Sequence, residues 1–385
     1  MIAKLNLAIF FALVAGMAPA NATEVEPAAV GTEPVASTET VPSMFKFGGF
    51  GTLGASHSSQ SLGDYVLDGT IPQGTGHSKS WAWGNDSRIG AQLTANLNPK
   101  TSAVLQVISE YQADKNYRPT IEWANVKYEF TPDAYFRLGR IALPTFLDSD
   151  SRKIGYSYPW IHPPVDLYRQ LSITNSDGVD AMYRFEIGRL GNSIKAIYGR
   201  NENERPTSIS TSRGMWGLFD TVEYGAATFR IGYQMRESSS RNLLTGVTGA
   251  WVQNSDLSVG FSYDPGRWFA MSEWMQREST SKIDAMYVSA GCRVNQFTPY
   301  LTYSQNSPAT ILPGYTGTVA SSRRAQSTIS FGTRWNLHRK SDVTLQYDQV
   351  KLSNDSNGYL ANVPTGVILY GTKFHVISAT FDFLF

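Results

Sequence analysis

From Met44 onward, apolar and polar residues alternate with a period of two rather than 3.6, the spacing of strands that carry one apolar face. The stretch DSRIGAQLTANLN (86–98) puts Ile89, Ala91, Leu93, Ala95 and Leu97 on one side and Arg88, Gln92, Thr94 and Asn96 on the other. The next stretch, TSAVLQVISEYQ, alternates Ala103, Leu105, Val107 and Tyr111 with Gln106 and Glu110. IEWANVKYEF follows with Ala124, Val126, Tyr128 and Phe130 on the apolar face, and AYFRLGRIAL comes next. The same reading gives strands near 44–57, 177–187, 193–200, 215–224, 226–237, 256–264, 267–278, 284–294, 297–305, 325–338, 342–353 and 373–385. That is roughly 16 strands. The region 238–255 leaves room for two more, so 18 stays open.

The connections alternate as well. Short turns recur at 98–100, 131–133, 188–192, 224–227, 264–267, 295–296 and 338–341. Between them lie longer polar stretches, about 58–85, 114–119, 144–176, 201–214, 238–255, 306–324 and 354–372. Short turns at one end and long loops at the other predict an all-β fold, a transmembrane antiparallel β-barrel with periplasmic turns and extracellular loops. In such a barrel Leu93, Leu105, Val126, Phe136, Leu138, Ile329, Phe331 and Leu345 face lipid. Tyr111, Tyr128, Trp216, Trp335, Tyr347 and Phe383 then belong to the interfacial aromatic girdles.

Composition sharpens this picture. Aromatic residues make up 12% and there are 33 glycines, while no segment after the first 22 residues approaches 18 consecutive apolar positions. The opening MIAKLNLAIFFALVAGMAPANA has one charge, an apolar run and a closing A-x-A, which predicts a signal peptide cleaved after Ala22. Residues 23–43, rich in Pro, Thr, Ala and Glu and free of aromatics, predict a flexible leader ahead of a barrel domain at 44–385. Losing Lys4 takes the 33 basic residues to 32, against 32 acidic ones. No net charge therefore draws the chain to nucleic acid. The lone Cys292 excludes an internal disulfide and a multi-cysteine zinc site.

The opening FKFGGFGTLG (45–54), RIGAQL (88–93), LGRIALPTF (138–146) and the terminal DFLF occur in order, and together the chain resembles the general trimeric porins of Gram-negative outer membranes over about 44–385. The resemblance implies a 16-stranded barrel in outer-membrane lipid, a homotrimer, and passive diffusion of small hydrophilic solutes and ions, with no cofactor. It also implies that the loop after the fifth strand (133–143) folds into the pore, making 144–176 the constriction loop. In such porins loop carboxylates face a basic wall, so Asp148 and Asp150 are expected opposite Arg88, Lys127 and Arg137, with Glu110, Arg184 and Arg334 as further lumen candidates. Solvated loop charges, or a local pair of Asp150 with Arg152, are the competing arrangement. The terminal Phe385, with Phe383 and Phe381, is expected to be the signal read by the barrel-assembly machinery.

Two further positions stand out. Arg140 shares parity with Phe136 and Leu138, where a lipid-facing charge at mid-depth would cost about 2–4 kcal/mol. It is therefore expected near an interface or between subunits, with Asp114 or Glu110 of a neighbour as partner. YSYPWIHPP (156–164) is expected to pack the loop against the wall, with a sugar-stacking slide as the alternative. Catalytic signals are weak. The five histidines show no H-x-x-x-H spacing, and there is no G-x-S-x-G or phosphate loop. No catalytic or metal residue is assigned. A substrate-selective channel, an outer-membrane hydrolase and an adhesive surface protein are the alternatives to a passive pore.

Overall fold

The computed structural model describes residues 44–312 and 324–385. The expected signal peptide (1–22) and leader (23–43) lie outside the described residues. Sixteen strands form the wall. They are β1 (Phe45–Ser58), β2 (Arg88–Asn98), β3 (Thr101–Glu110), β4 (Thr120–Thr131), β5 (Ala134–Ala142), β6 (Asn175–Ile187), β7 (Leu190–Arg205) and β8 (Ser208–Tyr224). The circuit continues with β9 (Ala227–Asn242), β10 (Val252–Tyr263), β11 (Trp268–Glu278), β12 (Ser281–Cys292), β13 (Phe297–Asn306), β14 (Gln326–His338), β15 (Ser341–Leu352) and β16 (Lys373–Leu384). Each pairs antiparallel with its neighbours in sequence, and β1 pairs with both β2 and β16, so the sheet closes. Two-residue ribbons at Trp81–Ala82 and Thr310–Ile311 join the edges without adding a stave. Sixteen is therefore the count, and the region 238–255 holds only the ends of β9 and β10.

The burial pattern is the reverse of a water-soluble sandwich. Leu93, Leu105, Val126, Phe136, Leu138, Ile329, Phe331 and Leu345 are all exposed on the outer face. Polar residues such as Gln106, Asp180, Ser289, Thr302, Thr344 and Asp382 are buried on the inner face. That inversion is what hydrocarbon outside and a hydrated interior demand. Tyr111 departs from its expected place in the girdle and is buried beside Tyr117.

The seam explains the two glycines of FKFGGFGTLG. Gly51 lies opposite Phe383, and the Gly49 and Phe385 backbones exchange hydrogen bonds of 3.0 Å each way. The rings of Phe383 and Phe385 occupy the space that a Cβ on Gly51 or Gly49 would take. Phe381, Phe383 and Phe385 stack in a row on the outer face, while Ser378, Thr380 and Asp382 point inward.

Loop lengths follow the expected asymmetry with two corrections. The polar stretch 201–214 is not a loop, because β7 and β8 run on to a tight turn at Pro206–Thr207. The β11–β12 connection is also tight, at Ser279–Thr280. With 16, 17 and 16 residues, β7, β8 and β9 exceed the roughly 9–11 needed to cross a bilayer. Their tips rise beyond it, where both faces meet water and the alternation of hydrophobicity fades.

Candidate functional site

The segment 143–174, between β5 and β6, folds into the barrel. Its path is fixed by where its apolar side chains and its backbone acceptors find partners. Leu143, Phe146, Tyr158, Trp160, Leu167, Tyr168 and Leu171 are buried in one cluster with wall residues Phe219, Phe269, Met275, Tyr287 and Tyr300. The inner face of β11 is unusually apolar, with Phe269, Met271 and Met275 at its inward positions. Those residues are the imprint of the segment on the wall. Each fully buried side chain of this size contributes about 1.5–3 kcal/mol.

Polar contacts then set the register. Leu147 N donates to Glu273 Oε2 at 2.8 Å, and Tyr168 and Tyr287 donate to Glu273 Oε1 at 2.6 and 3.0 Å. Arg230 donates to the carbonyls of Pro144 and Phe146. Arg334 donates to the carbonyls of Tyr156 and Tyr158, lies over the Tyr156 ring, and pairs with Asp342 at 2.9 Å. Trp160 Nε1 reaches Ser289 and Thr302 at 3.0 and 3.1 Å. The YSYPWIHPP stretch thus packs against the wall and presents no free aromatic slide.

The short helix α1 (Val165–Tyr168) carries Asp166, which is fully buried. Ser304 and Gln326 donate to its carboxylate at 2.6 and 2.7 Å, and burial pushes its pKa up to about 6. His162 meets Asp86 at 3.1 Å. Burial alone would lower the imidazole pKa, but the Asp86 carboxylate outweighs it and the net direction is up.

The charges expected at the constriction separate into distinct groups. Asp150 lies 3.9 Å from Lys195 on β7, and Lys153 lies 2.5 Å from Glu110 on β3. Arg88 pairs in register with Glu110 and its Nε donates to the Asp86 carbonyl. Arg137 is held by Asp180 of β6, and Lys127 by Glu129 at 2.5 Å. Asp148 stands away from Arg88, Lys127 and Arg137, on the Arg230 side of the segment, with Oδ2 lacking a hydrogen-bond partner. Burial raises its pKa to about 6, which the Arg230 charge only partly offsets. Arg184 sits on the inner face of β6, three residues from the periplasmic turn. Asp150 and Arg152 are not paired with each other; Arg152 lies 3.7 Å from Asp68 and donates to the Leu171 and Tyr168 carbonyls.

Arg140 does face outward, and its partner is within the chain. Nε and Nη2 donate to Asp177 of β6 at 2.7 and 2.8 Å, and Nη1 to the Ile121 carbonyl at 3.0 Å. The pair sits near the loop end of β5. Asp114 lies near Arg118, and Glu110 faces inward.

Between the segment and the β2–β4 wall a water-sized space of about 310 Å3 remains, lined by Arg88, Glu110, Lys153, Asp68 and Glu122 among others. A second, of about 360 Å3, lies on the periplasmic side between Tyr158, Arg334, Phe269 and Thr298.

No family model matches the sequence, and no curated protein matches it. Solved structures do share the architecture. OmpTdeltaL8, a loop-deletion mutant of the outer membrane protein OmpT of Vibrio cholerae, aligns with a TM-score of 0.57 at 14% identity, over 89% of this chain and 100% of that one. The outer membrane channel DcaP of Acinetobacter baumannii aligns at 0.56 and 11% identity, over 88% and 97%. The anion-selective porin from Comamonas acidovorans aligns at 0.52 and 13% identity, over 89% and 99%.

The fold is that of the outer-membrane porins. A closed barrel satisfies every strand's backbone within the sheet, which is what crossing a bilayer by strands requires. The apolar belt on this porin-fold barrel fits a hydrocarbon surround. Glu273, Arg230, Asp166 and His162, which position the in-folded segment, are not singled out by sequence pattern. The apolar inward positions of β11 are the signal that points to them.

Proposed function

We propose that the chain forms a water-filled channel for passive diffusion of small hydrophilic solutes and ions. The observation that carries this is the pairing of segment charges with wall charges, Asp150 with Lys195 and Lys153 with Glu110, the latter at the edge of the open space inside the barrel. Opposite charges on the segment and the wall face each other beside open space, on a side of the barrel interior away from the apolar cluster of the segment with β11. Such a field holds ordered water that a dipolar solute replaces and an apolar one does not. In this reading 143–174 is the constriction, and Arg137 and Lys127 are wall charges already paired with Asp180 and Glu129.

No catalytic step is assigned. The cluster at Glu273, which gathers a carboxylate with two tyrosines, is spent on holding the segment. A homotrimer is proposed as well; a structure of OmpT of Vibrio cholerae with the same fold is described as a trimer form. Export by a cleaved signal peptide and insertion by the assembly machinery through Phe385 belong to the same proposal.

The test is conductance in planar bilayers. Purified protein is expected to give stepwise ohmic currents in KCl, with simultaneous multiples of three. Barrels that insert without current would defeat the channel reading, and single independent steps would defeat the trimer alone.

A further inference from the structure

The extracellular mouth contains a charge cluster that the constriction does not use. A cavity of about 540 Å3 lies between the loops there. Three arginines line it from distant parts of the chain: Arg169 just after α1, Arg205 at the tip of β7 and Arg324 just before β14. One carboxylate, Asp355, shares the lining. Among the described residues none of the three arginines has an ion-pair partner, and nearby Asp68 is already engaged by Arg152.

Arg169 is built into place rather than draped over the surface. It is 8% exposed, donates to the Val66 carbonyl at 2.6 Å, and lies 4.8 Å over the Tyr359 ring. Burial, and then the like charge of Arg324, lower its pKa to about 10. Three positive groups gathered where few carboxylates face them repel each other and lose hydration. An anion that joins them reverses both costs. Guanidinium groups present paired N–H donors that fit an oxyanion with several oxygens better than a spherical halide. Asn357 and Asn362 share the lining, but their amides are turned to the Val367 carbonyl and to Asp64 and the Pro72 carbonyl, so the arginines supply the donors.

We propose that Arg169, Arg205 and Arg324 form a binding site for a small soluble oxyanion carrying two or more charges, of the phosphate or pyrophosphate kind, at the channel mouth. The cavity opens between loops at the strand tips, away from the apolar outer belt, so the ligand is a solute and not a lipid headgroup. Where the barrel conducts, the site raises the local concentration of such anions above the constriction. That consequence rests on the channel reading; the binding itself does not.

The experiment is calorimetric titration of pyrophosphate into the refolded full-length barrel in a nonionic detergent. Saturable binding near one per chain is expected, and chloride at matched ionic strength should give none. The double variant Arg205→Gln/Arg324→Gln changes two exposed side chains and leaves the packed Arg169 in place. It should bind about tenfold or more weakly, a loss of about 1.4 kcal/mol. Absence of saturable heat in the wild type, or equal binding in the variant, would overturn the site. A barrel that binds pyrophosphate but carries no current would leave the site standing and remove the channel, whereas a conducting barrel without binding would remove the site alone.

Discussion

At the scale of single residues, the in-folded segment is held by groups whose protonation changes near neutral pH. Asp148 and Asp166 have pKa values raised to about 6 by burial, and His162 is raised by Asp86 against the effect of burial. Through these three groups the docked state binds more protons than an undocked one, while Asp68 and Glu110, paired with Arg152 and Lys153 of the segment, act in the opposite sense. The stabilisation from the three is fully present below about pH 4, is lost as pH rises toward 6 for the aspartates, and declines further as His162 deprotonates. Hydrogen exchange of amides 144–174, corrected for intrinsic chemistry, should show stronger protection at pH 4 than at pH 7. Asp148→Asn should remove part of that difference and leave the Asp166 share. A protection difference unchanged in Asp148→Asn would mean that this carboxylate does not report on docking. Arg140 teaches a related lesson. Parity predicted an outward charge, and Asp177 supplies its counter-charge within the chain.

At the scale of elements, the segment 143–174 behaves as a strap with anchors at several depths. Glu273 receives three donors, from Leu147, Tyr168 and Tyr287. Leaving buried donors unpaired costs about 1–3 kcal/mol each. Glu273→Ala should therefore loosen the segment, giving noisier single-channel current and a higher mean conductance than wild type. Wild-type noise and conductance in that variant would show that the apolar cluster alone fixes the strap. Strand positions were legible wherever one face met lipid and the other water, as in β2, β3 and β14. They were not legible at 201–214, because the tips of β7 and β8 lie beyond the bilayer and both faces are polar. Loop assignment by polarity fails there for a physical reason, not for want of pattern.

At the scale of the whole molecule, closure is the governing fact. Nine residues of β1, Phe50 to Ser58, pair with Leu384 to Val376, and the terminal Phe385 adds two backbone hydrogen bonds to Gly49. Closure removes both sheet edges together, so the half-aromatic last strand is no longer a template for aggregation. Deleting Phe385 removes those two bonds and the last ring of the outer row, but touches nothing near the constriction. The yield of folded oligomer on a semi-native gel should fall severalfold while the conductance of the survivors stays at the wild-type value. Normal yield would rule out the assembly role. An altered conductance would mean that the seam shapes the bore.

The period-two alternation and the segregation of short turns from long loops were enough, from sequence alone, to specify a closed barrel and its lipid face, while the loop expected to enter it came from the resemblance to porins. These are local properties: parity places each side chain on one face, and a barrel converts the two faces into lipid and lumen. Which charges meet across the bore was decided only in the tertiary structure. The partners of Asp150, Lys153 and Asp148 depend on the path of a 32-residue segment, numbered 143–174, that no strand register constrains. That path follows from where Phe146, Trp160 and Tyr168 find apolar wall and where Glu273 and Arg334 find backbone. Burial and hydrogen bonding over long sequence separations set it, and no repeat along the chain encodes them.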